Sequence, residues 1–323
     1  MNRVGLALVG AGPWGRTLGR TVMQIPDVEL RWICELDSAR RAEAAALAPE
    51  ARVTGALDEV LADPAVQGAL VAVDSPRHHA VGLRVLDADR HLLVEKPMAL
   101  TVADARELHT LADARGRVLA VDHLLLHHPA IRRARLLISE GALGQPLWLE
   151  ATRFATGRAR PGQSVWWTLA PHDVSLALHL FEAVPVAVTA VGGAARPRGR
   201  GDDAVVWATL HFADGRLAHI RVARQAAEKK RQFTIGGDRG SMIFDELSPD
   251  RTLRIQPLDG PLRAESFALP AGDPLSAQCR QFIHGVVRDD PTAGNGAHAL
   301  AVVRVLEAGT RSMAANGAPV EVD

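Results

Sequence analysis

The sequence predicts an α/β fold, a doubly wound parallel sheet, followed by a C-terminal α+β domain with a mostly antiparallel sheet. Continuous apolar runs alternate with helical patterns up to residue 121, which is typical of a parallel sheet. A glycine-rich turn joins the first of these runs to the first helical pattern. After residue 122 the apolar residues instead recur at a period of two, as in antiparallel strands. We therefore predict two domains, 1–121 and 122–323.

The glycine-rich turn has the spacing of a dinucleotide-binding site. Val4–Val9 predicts a buried strand, and the residues that open the next helix are Gly10-Ala11-Gly12-Pro13-Trp14-Gly15. In this arrangement the first glycine allows a tight turn, the second lets the backbone approach a pyrophosphate, and the third lets helix pack on strand. The helix N-terminus then binds the phosphates. The motif predicts a Rossmann domain that binds a dinucleotide.

An acidic residue completes this pattern about 20 residues further on. Val28–Cys34 predicts a second strand, and Glu35 follows it. A carboxylate here accepts hydrogen bonds from the adenosine ribose and repels a 2′-phosphate, so NAD is the predicted cofactor. Arg40 and Arg41 lie close enough in sequence to keep NADP as an alternative. The structural alternative is an ordinary glycine turn in an α/β protein that binds no nucleotide.

Composition excludes several classes of protein. The 323 residues carry a formal net charge of +0, so neither nucleic acid nor a membrane surface is a predicted partner. We recognise no signal peptide, and no apolar run reaches the ~20 residues that a membrane-spanning helix needs. The two cysteines, Cys34 and Cys279, predict no disulfide framework, and we expect a cytoplasmic location. Tyrosine is absent, which excludes a tyrosine general acid.

The other elements follow from periodicity, caps and turn residues. In the first domain we predict strands at 52–53, 68–73, 91–94 and 118–121, and helices at 38–48, 57–61, from Pro76 onward, and at 101–115. Ser38 and Thr101 are the predicted helix caps. In the second domain we predict helices at 128–139, 275–288 and 298–315, strands at 146–154, 186–191, 203–212, 216–224, 232–235, 241–244 and 252–257, and loops at 157–162 and 192–202. Asp214-Gly215 indicates a hairpin.

Two clusters carry candidate chemistry. Glu95-Lys96-Pro97 follows a predicted strand, at the carboxyl edge where open α/β sheets bind ligands. A lysine there can bind a hydroxyl group, and burial can lower its pKa. In the second cluster Pro171 suits the first position of a helix, which places His172 in the first turn, where it can shuttle a proton. Taken singly, each is also compatible with an ordinary strand-end lysine or a surface histidine.

Together these motifs resemble the Gfo/Idh/MocA family of NAD(P)-dependent oxidoreductases over nearly the whole chain. The features that carry the resemblance are Gly10–Gly15, Ser75-Pro76 followed by His79, Glu95-Lys96-Pro97, Gly141-Ala142-Leu143-Gly144, Pro171-His172-Asp173, and Gly237 and Gly240 ahead of Ser241. The features most similar to the branch that acts on nucleotide-linked sugars are Trp14, Arg153, the double tryptophan Trp166-Trp167 and Pro171-His172-Asp173.

The resemblance implies roles for individual residues. Lys96 would bind the nicotinamide ribose and act in proton transfer, and His172 would be the general acid or base on the reacting hydroxyl. Hydride would pass between a carbon of a sugar-like substrate and nicotinamide C4. Further cofactor contacts are implied for Ser75, Pro76, His79, Glu95 and Trp167. Substrate contacts are implied for His123, Arg153, His172 and Asp173.

One departure from the family concerns Thr168, which we include among the catalytic candidates. The family commonly has an aspartate four residues before the histidine, one helical turn away, where it orients the histidine. A hydroxyl group supplies no negative charge, so we expect His172 to be less basic here. Either Lys96 alone handles the proton, or the fold serves a non-redox reaction such as elimination, cyclisation or isomerisation. A third hypothesis is a non-enzymatic sensor of NAD or a metabolite.

Three further expectations concern ligands and assembly. His123 and His127 are four residues apart, but no third ligand is evident and zinc needs three or four, so no metal is predicted. Arg153 follows a strand pattern and could bind a carboxylate or phosphate in a bidentate manner. A large apolar face on the second-domain sheet would be exposed in a monomer, so we predict a homodimer or homotetramer.

Overall fold

The computed structural model describes residues 3–157, 164–194, 203–249, 252–266 and 274–323, which form two compact units. The first unit comprises Met1–Leu124 and Gly272–Leu300, and the second comprises Leu125–Ala271 and Ala301–Asp323. Residues 274–300 thus return to the first unit, whereas the single predicted division at residue 121 placed them in the second domain. They return because Leu275, Cys279 and Phe282 pack into the core of the first unit.

The first unit contains a six-stranded parallel sheet, so the predicted doubly wound fold is confirmed. Its strands are β1 (Val4–Val9), β2 (Val28–Cys34), β3 (Arg52–Thr54), β4 (Gly68–Val71), β5 (His91–Val94) and β6 (Leu119–Val121). The helices between them are α1 (Pro13–Met23), α2 (Ser38–Leu47), α3 (Leu57–Ala62), α4 (His78–Asp87) and α5 (Val102–Ala114). The strand order β3-β2-β1-β4-β5-β6 reverses between β1 and β4, where sheets of this type bind ligands.

The second unit contains a nine-stranded, mostly antiparallel sheet, as predicted. After α6 (Pro129–Ser139) come β7 (Pro146–Phe154), α7 (Val165–Thr168), α8 (Ala170–Phe181), β8 (Ala187–Ala194), β9 (Asp203–His211), β10 (Leu217–Ala223), β11 (Lys230–Gly237), β12 (Gly240–Asp245), β13 (Thr252–Pro257) and β14 (Arg263–Ser266). The chain continues with α9 (Pro274–Arg288), α10 (Gly296–Ala314) and β15 (Val320–Glu321). The strand order is β14-β13-β12-β11-β7-β10-β9-β8-β15, with β7 and β10 parallel. The hairpin at Asp214-Gly215 joins the antiparallel strands β9 and β10, as predicted.

The burial patterns of the two sheets explain their different sequence signals. All six residues of β1 are buried, as expected for a parallel strand with both faces covered. In β9 buried residues alternate with accessible ones, because one face packs on the core and the other is exposed. Among the described residues, no helix is both long enough and apolar enough to cross a bilayer.

Several predicted boundaries were wrong. Asp37, not Ser38, caps α2, since the Asp37 carboxylate accepts the Arg40 N–H at 2.9 Å. A 3-10 turn at Ser75–Arg77 precedes α4, which therefore begins at His78 and not at Pro76. Residues 192–194, predicted as loop, extend β8 because they pair with β9. The rest of the two predicted loops, residues 158–162 and 195–202, lies outside the described residues. The Thr101 cap on Asp104 N–H is confirmed.

Candidate functional site

The glycine-rich turn between β1 and α1 leaves its second glycine open to a ligand. Gly10 has a φ of +95°, a conformation that favours glycine. A Cβ on Gly15 would lie 2.0 Å from the Gly10 carbonyl oxygen, so helix and strand approach this closely only with glycine. A Cβ on Gly12, which precedes Pro13, would meet no described non-neighbouring heavy atom within 4 Å. The turn is thus packed on the protein side and open where a pyrophosphate would lie.

Glu35 is held at the end of β2 by two backbone donors. It is 8% exposed. Its Oε2 accepts the Ala11 N–H at 2.7 Å, and its Oε1 accepts the Asp37 N–H at 3.0 Å. The first bond ties the carboxylate to the middle of the glycine-rich turn. The predicted ribose acceptor and the predicted phosphate cradle therefore form one continuous surface.

The side chain of Arg41, which kept NADP as an alternative in the sequence analysis, binds to the protein backbone. Its Nη1 donates to the backbone oxygens of Glu35 and Leu36 at 2.8 and 2.7 Å. These bonds fasten the turn after β2 and draw the guanidinium toward the backbone. Arg40 is exposed, and its N–H donates to the Asp37 cap. The arrangement favours NAD over NADP.

The structure places His78, not His79, in the buried position of the Ser75-Pro76 segment. His79 lies 2.8 Å from a Glu107 oxygen and 3.6 Å from an Asp104 oxygen, both on α5. His78 is 1% exposed, with Nδ1 2.7 Å from the Pro97 carbonyl and Nε2 3.0 Å from the Val73 carbonyl. Burial lowers the pKa of His78, while its two carbonyl partners oppose the shift.

Helical periodicity could have identified His78 from the sequence. The buried residues of α4 are its first, fifth, eighth and ninth, namely His78, Gly82, Val85 and Leu86, which lie along one face of a helix. His79 lies off this stripe. Through Pro97, His78 supports the segment that contains Lys96.

Glu95, Lys96 and Pro97 follow β5 directly, at the edge where β1 ends in the glycine-rich turn. The Lys96–Pro97 peptide bond is cis. Glu95 Oε2 accepts the Lys96 backbone N–H at 3.1 Å. Burial, the charge of Asp122 and a hydrogen bond with Asp122 raise the pKa of Glu95 well above its ordinary value. Glu95 was predicted to contact the cofactor; its described contacts are with the protein.

Trp14 and His123 lie near this edge. The Trp14 indole N–H donates to Asp122 Oδ2 at 3.0 Å, and the residue is 39% exposed. His123 is buried and meets the ring of His298 edge-on, with ring centroids 5.7 Å apart.

Within the described ranges no group of three or more His, Cys, Asp or Glu residues could hold a metal ion.

In the second unit, the double tryptophan packs against α10. Trp166 is fully buried, and its indole N–H donates to the Leu306 carbonyl at 2.8 Å. Trp167, predicted to contact the cofactor, is half-buried and donates to Thr310 Oγ1 at 3.0 Å. Both indoles therefore anchor the short helix α7, which places Thr168 at its end.

Thr168 and His172 are one helical turn apart in sequence, at the α7–α8 junction. His172 is half-buried in the first turn of α8, as Pro171 predicted. Thr168 Oγ1 donates to the Ser164 carbonyl at 3.0 Å and accepts from Arg224 Nη2 at 3.2 Å. A guanidinium thus approaches Thr168, at the position where the resemblance leads us to expect an aspartate. Sequence analysis missed Arg224.

Arg153 and Asp173, both predicted to touch substrate, bind each other. Arg153 Nε and Nη2 donate to the two Asp173 oxygens at 2.9 and 3.0 Å, a buried bidentate pair. Arg153 Nη1 also lies 3.4 Å from Glu246. Burial lowers the pKa of Arg153, but the charges of Asp173 and Glu246 outweigh it and raise the value. The alternation along β7 could have shown that Arg153 is buried, though not its partner, since Leu149, Ala151 and Arg153 share the buried face.

The first unit thus gathers most of the predicted cofactor contacts at the carboxyl ends of its strands. These are Gly10–Gly15 after β1, Glu35 after β2, Ser75 and Pro76 after β4, and Glu95 and Lys96 after β5. His79 and Trp167 are the exceptions, since the His79 ring pairs with α5 and Trp167 lies in the second unit. The second unit holds Arg153, Thr168, His172 and Asp173.

Comparison with known proteins extends these observations. Residues 4–123 match the GFO/IDH/MocA oxidoreductase family with its NAD-binding Rossmann fold, and residues 131–243 match the GFO/IDH/MocA C-terminal domain. Together the matches span more than half of the chain. The chain belongs to the GFO/IDH/MocA oxidoreductase family.

Family membership decides between the broad functional alternatives. The GFO/IDH/MocA chain is an enzyme with an NAD-binding Rossmann domain. The predicted oxidoreductase class and the predicted cofactor are therefore confirmed. The hypothesis of a non-enzymatic sensor is not retained.

Two relatives and one solved structure illustrate what this GFO/IDH/MocA chain is similar to. UDP-N-acetylglucosamine 3-dehydrogenase of Acidithiobacillus ferrooxidans is 30% identical over 297 residues, which cover 90% of each chain. 2,7-Anhydro-N-acetylneuraminate hydratase of Mediterraneibacter gnavus is 22% identical over 302 residues, 90% of this chain and 78% of the relative. The structure of GenD2 from gentamicin A biosynthesis, in complex with NAD, superposes with a TM-score of 0.87 at 26% identity, covering 100% of this chain and 97% of GenD2.

Proposed function

We propose that the protein transfers hydride between NAD and a secondary alcohol or ketone on a sugar-like substrate. The observation that carries this proposal is the geometry at the sheet edge of the first unit. There an open glycine-rich turn, the buried carboxylate of Glu35 and the strand-end residue Lys96 lie at the carboxyl ends of β1, β2 and β5 in one sheet. The open space above Gly12 fits a pyrophosphate, and Glu35 fits a ribose hydroxyl. Bound NAD supplies the nicotinamide that exchanges hydride with the substrate carbon.

Lys96 is the proposed proton carrier. In the direction of oxidation, a neutral Lys96 Nζ takes the hydroxyl proton as the carbonyl group forms, and in reduction the ammonium form returns it. His78 supports this role by holding the Pro97 carbonyl next to Lys96. His172, half-buried in the first turn of α8, is the second candidate proton carrier. Thr168 contacts a guanidinium and supplies no negative charge, so we assign the larger share of proton transfer to Lys96.

The proposed substrate class is a sugar or nucleotide-linked sugar. The similarity to UDP-N-acetylglucosamine 3-dehydrogenase, which extends over 90% of this chain, supports it. Arg153 and Asp173 bind each other, so we propose that they shape the second unit beside His172 and do not bind substrate charge directly.

The test is a redox assay with matched variants. Purified protein is mixed with NAD and a panel of nucleotide sugars, or with NADH and their keto forms, and absorbance of the reduced nicotinamide is followed. We expect turnover in the wild type, a loss of about a hundredfold or more in Lys96→Ala, and full activity in the control Lys229→Ala, which alters an exposed lysine. His172→Asn should lose less than Lys96→Ala, with exposed His219→Asn as its control. Equal activity in Lys96→Ala and wild type would refute the assignment.

A non-redox reaction is the second candidate. Thr168 motivates it, because a hydroxyl group stands where the family commonly has the carboxylate that orients the histidine. The hydratase of Mediterraneibacter gnavus, 22% identical to this chain, is a relative whose name describes addition of water. NAD that binds tightly but shows no net redox change across the whole panel would favour elimination, cyclisation or isomerisation.

We also propose a homodimer or homotetramer in the cytoplasm. On one face of the second-unit sheet, Trp207 pairs across strands with Val191, and Trp148 pairs with Leu217. All four side chains are exposed, which is unusual for large apolar residues and suits a second copy of this chain. The two cysteines are buried thiols, which suits a reducing compartment. Sedimentation velocity and cell fractionation test the two proposals.

A further inference from the structure

Glu95 and Asp122 lie side by side at the carboxyl edge of the first sheet. In the parallel pair β5–β6, Val94 lies opposite Val121, so the next residues are neighbours. The Asp122 N–H donates to the Val94 carbonyl at 2.9 Å. The two carboxyl groups are close enough for a hydrogen bond between them, which contributes to the raised pKa of Glu95. Because an ionised carboxylate has no proton to donate, this bond requires one proton on the pair.

The surrounding donors identify which carboxyl group carries that proton. Trp14 Nε1 donates to Asp122 Oδ2 at 3.0 Å, and Gln278 Nε2 donates to Asp122 Oδ1 at 2.9 Å. Donors on both oxygens favour the ionised form of a carboxyl group, because that form is a pure acceptor. Asp122 therefore carries the charge and Glu95 the proton. The Lys96 N–H on Glu95 Oε2 is compatible with a hydroxyl on the other Glu95 oxygen.

Electrostatics agrees with this assignment. Burial is the largest influence that raises the pKa of Glu95, and the charge of Asp122 raises it further, while the charge of Lys96 opposes both. Two carboxylates at hydrogen-bonding distance do not both ionise. Asp122 is only 1% exposed and Glu95 is half-buried, so water screens the charge of Asp122 only in part.

We propose that Glu95 is a positioning residue that, as a neutral acid, donates to Asp122 and so holds the Trp14 indole in the glycine-rich turn. This inference rests on the proposed function, because the turn that contains Trp14 is the expected pyrophosphate site. Trp14 is the second residue of α1. Its N–H is tied to the sheet edge through Asp122, while 39% of the residue stays accessible to a ligand. With Gln278 on α9, the network connects four elements of the first unit around one shared proton.

The assignment predicts opposite sensitivities at the two carboxyl groups. Glu95→Gln keeps a donor toward Asp122, because an amide N–H replaces the acid O–H at nearly the same size. Asp122→Asn replaces one acceptor oxygen by an NH₂ group, which then faces the N–H of Trp14 or Gln278. That leaves a buried donor without an acceptor, and the indole loses its anchor. If Asp122 instead carried the proton, Asp122→Asn would be the tolerated substitution and Glu95→Gln the disruptive one.

The first measurement needs neither cofactor nor turnover. Infrared difference spectra of wild type minus Glu95→Gln at neutral pH should contain the C=O band of a protonated carboxyl group. Wild type minus Glu29→Gln should not, because Glu29 lies near the amino end of β2 with an accessible side chain paired to Arg31. Absence of a protonated-carboxyl band from the Glu95 difference spectrum would overturn the proposal, whether or not the protein turns over any substrate.

The second measurement links the pair to the glycine-rich turn. In NMR spectra, the Trp14 indole N–H resonance is identified by its loss in Trp14→Phe. Its chemical shift should change in Asp122→Asn and stay close to the wild-type value in Glu95→Gln. Calorimetric titration with NAD should show affinity within about threefold of wild type for Glu95→Gln and about tenfold weaker for Asp122→Asn, the effect of one lost hydrogen bond to a charged group. Equal losses in both variants, or none in Asp122→Asn, would overturn the proposal. If Asp122→Asn does not fold, the infrared result on Glu95 still decides.

Discussion

The bidentate pair of Arg153 and Asp173 offers a quantitative test of how the second unit is stabilised. The side chains are 9% and 3% exposed, and two hydrogen bonds of 2.9 and 3.0 Å join them. Removing one member of a buried pair costs about 3–5 kcal/mol, because it leaves the other charge buried. We predict that Asp173→Ala lowers the free energy of unfolding by about 3 kcal/mol, the lower end, because Glu246 still lies 3.4 Å from Arg153.

Urea unfolding followed by tryptophan fluorescence measures this change. Asp87→Ala is the matched control, since the Asp87 side chain is 59% exposed and contacts Arg115 at 3.1 Å. This substitution should lower the free energy of unfolding by at most about 1 kcal/mol. The double variant Arg153→Met/Asp173→Leu removes both charges and fills similar volume. It should recover most of the loss.

Two results would refute this reasoning. One is a loss for Asp173→Ala no larger than that of the Asp87 control, which would mean that water reaches Arg153. The other is a double variant at least as unstable as Asp173→Ala, which would mean that lost packing and not the unpaired charge sets the cost.

Three further predictions follow from other sites. Burial, aided by the charge of Arg117, lowers the pKa of His91 to about 4. The unfolded chain, with a histidine pKa of about 6.5, then binds the proton first, so the free energy of unfolding should fall by up to about 3 kcal/mol from pH 6.5 to pH 4. His91→Gln should reduce this slope in urea titrations, and an unchanged slope would contradict the assignment. Glu35→Ala should weaken the binding of NAD about tenfold and that of NADP less. The ratio of the affinity for NAD to that for NADP should therefore fall in fluorescence titrations. A constant ratio would mean that Glu35 has no part in cofactor selection. Trp207→Lys should reduce the sedimenting mass by abolishing the sheet-face contact, whereas Leu258→Lys, at an exposed turn, should not; identical sedimentation of both would exclude this face as the interface.

Much of the fold could be predicted because its signals are local. The strand–turn–helix at Gly10–Gly15 depends on residues adjacent in sequence, and so does the hairpin at Asp214-Gly215. Continuous apolar runs and period-two alternation separated the two sheets for the same reason, since each reports how many faces of a strand are buried. Element ends were less accurate, because caps such as Asp37 compete with neighbours of similar propensity.

The candidate site could be predicted by residue type but not by partner. Lys96 and His172 were located correctly at a strand end and a helix start. Arg153 and Asp173 were interpreted as substrate contacts, but they bind each other. Nothing in the sequence indicates that an arginine and an aspartate 20 residues apart face each other. The choice between His78 and His79 likewise depended on which of two adjacent residues faces the sheet.

The sequence by itself determined the classes of structure, a dinucleotide-binding parallel sheet and an antiparallel second domain. It also predicted an acidic residue for NAD, and a lysine and a histidine suited to move a proton. These depend on short-range spacing, which the backbone converts directly into turns, helices and strands. Only the tertiary structure decided that residues 274–300 join the first unit, that Glu95 lies beside Asp122, and that Asp122 accepts the Trp14 indole N–H. Such contacts join residues far apart in the chain, and their protonation and charge depend on burial, which arises only when the elements pack together.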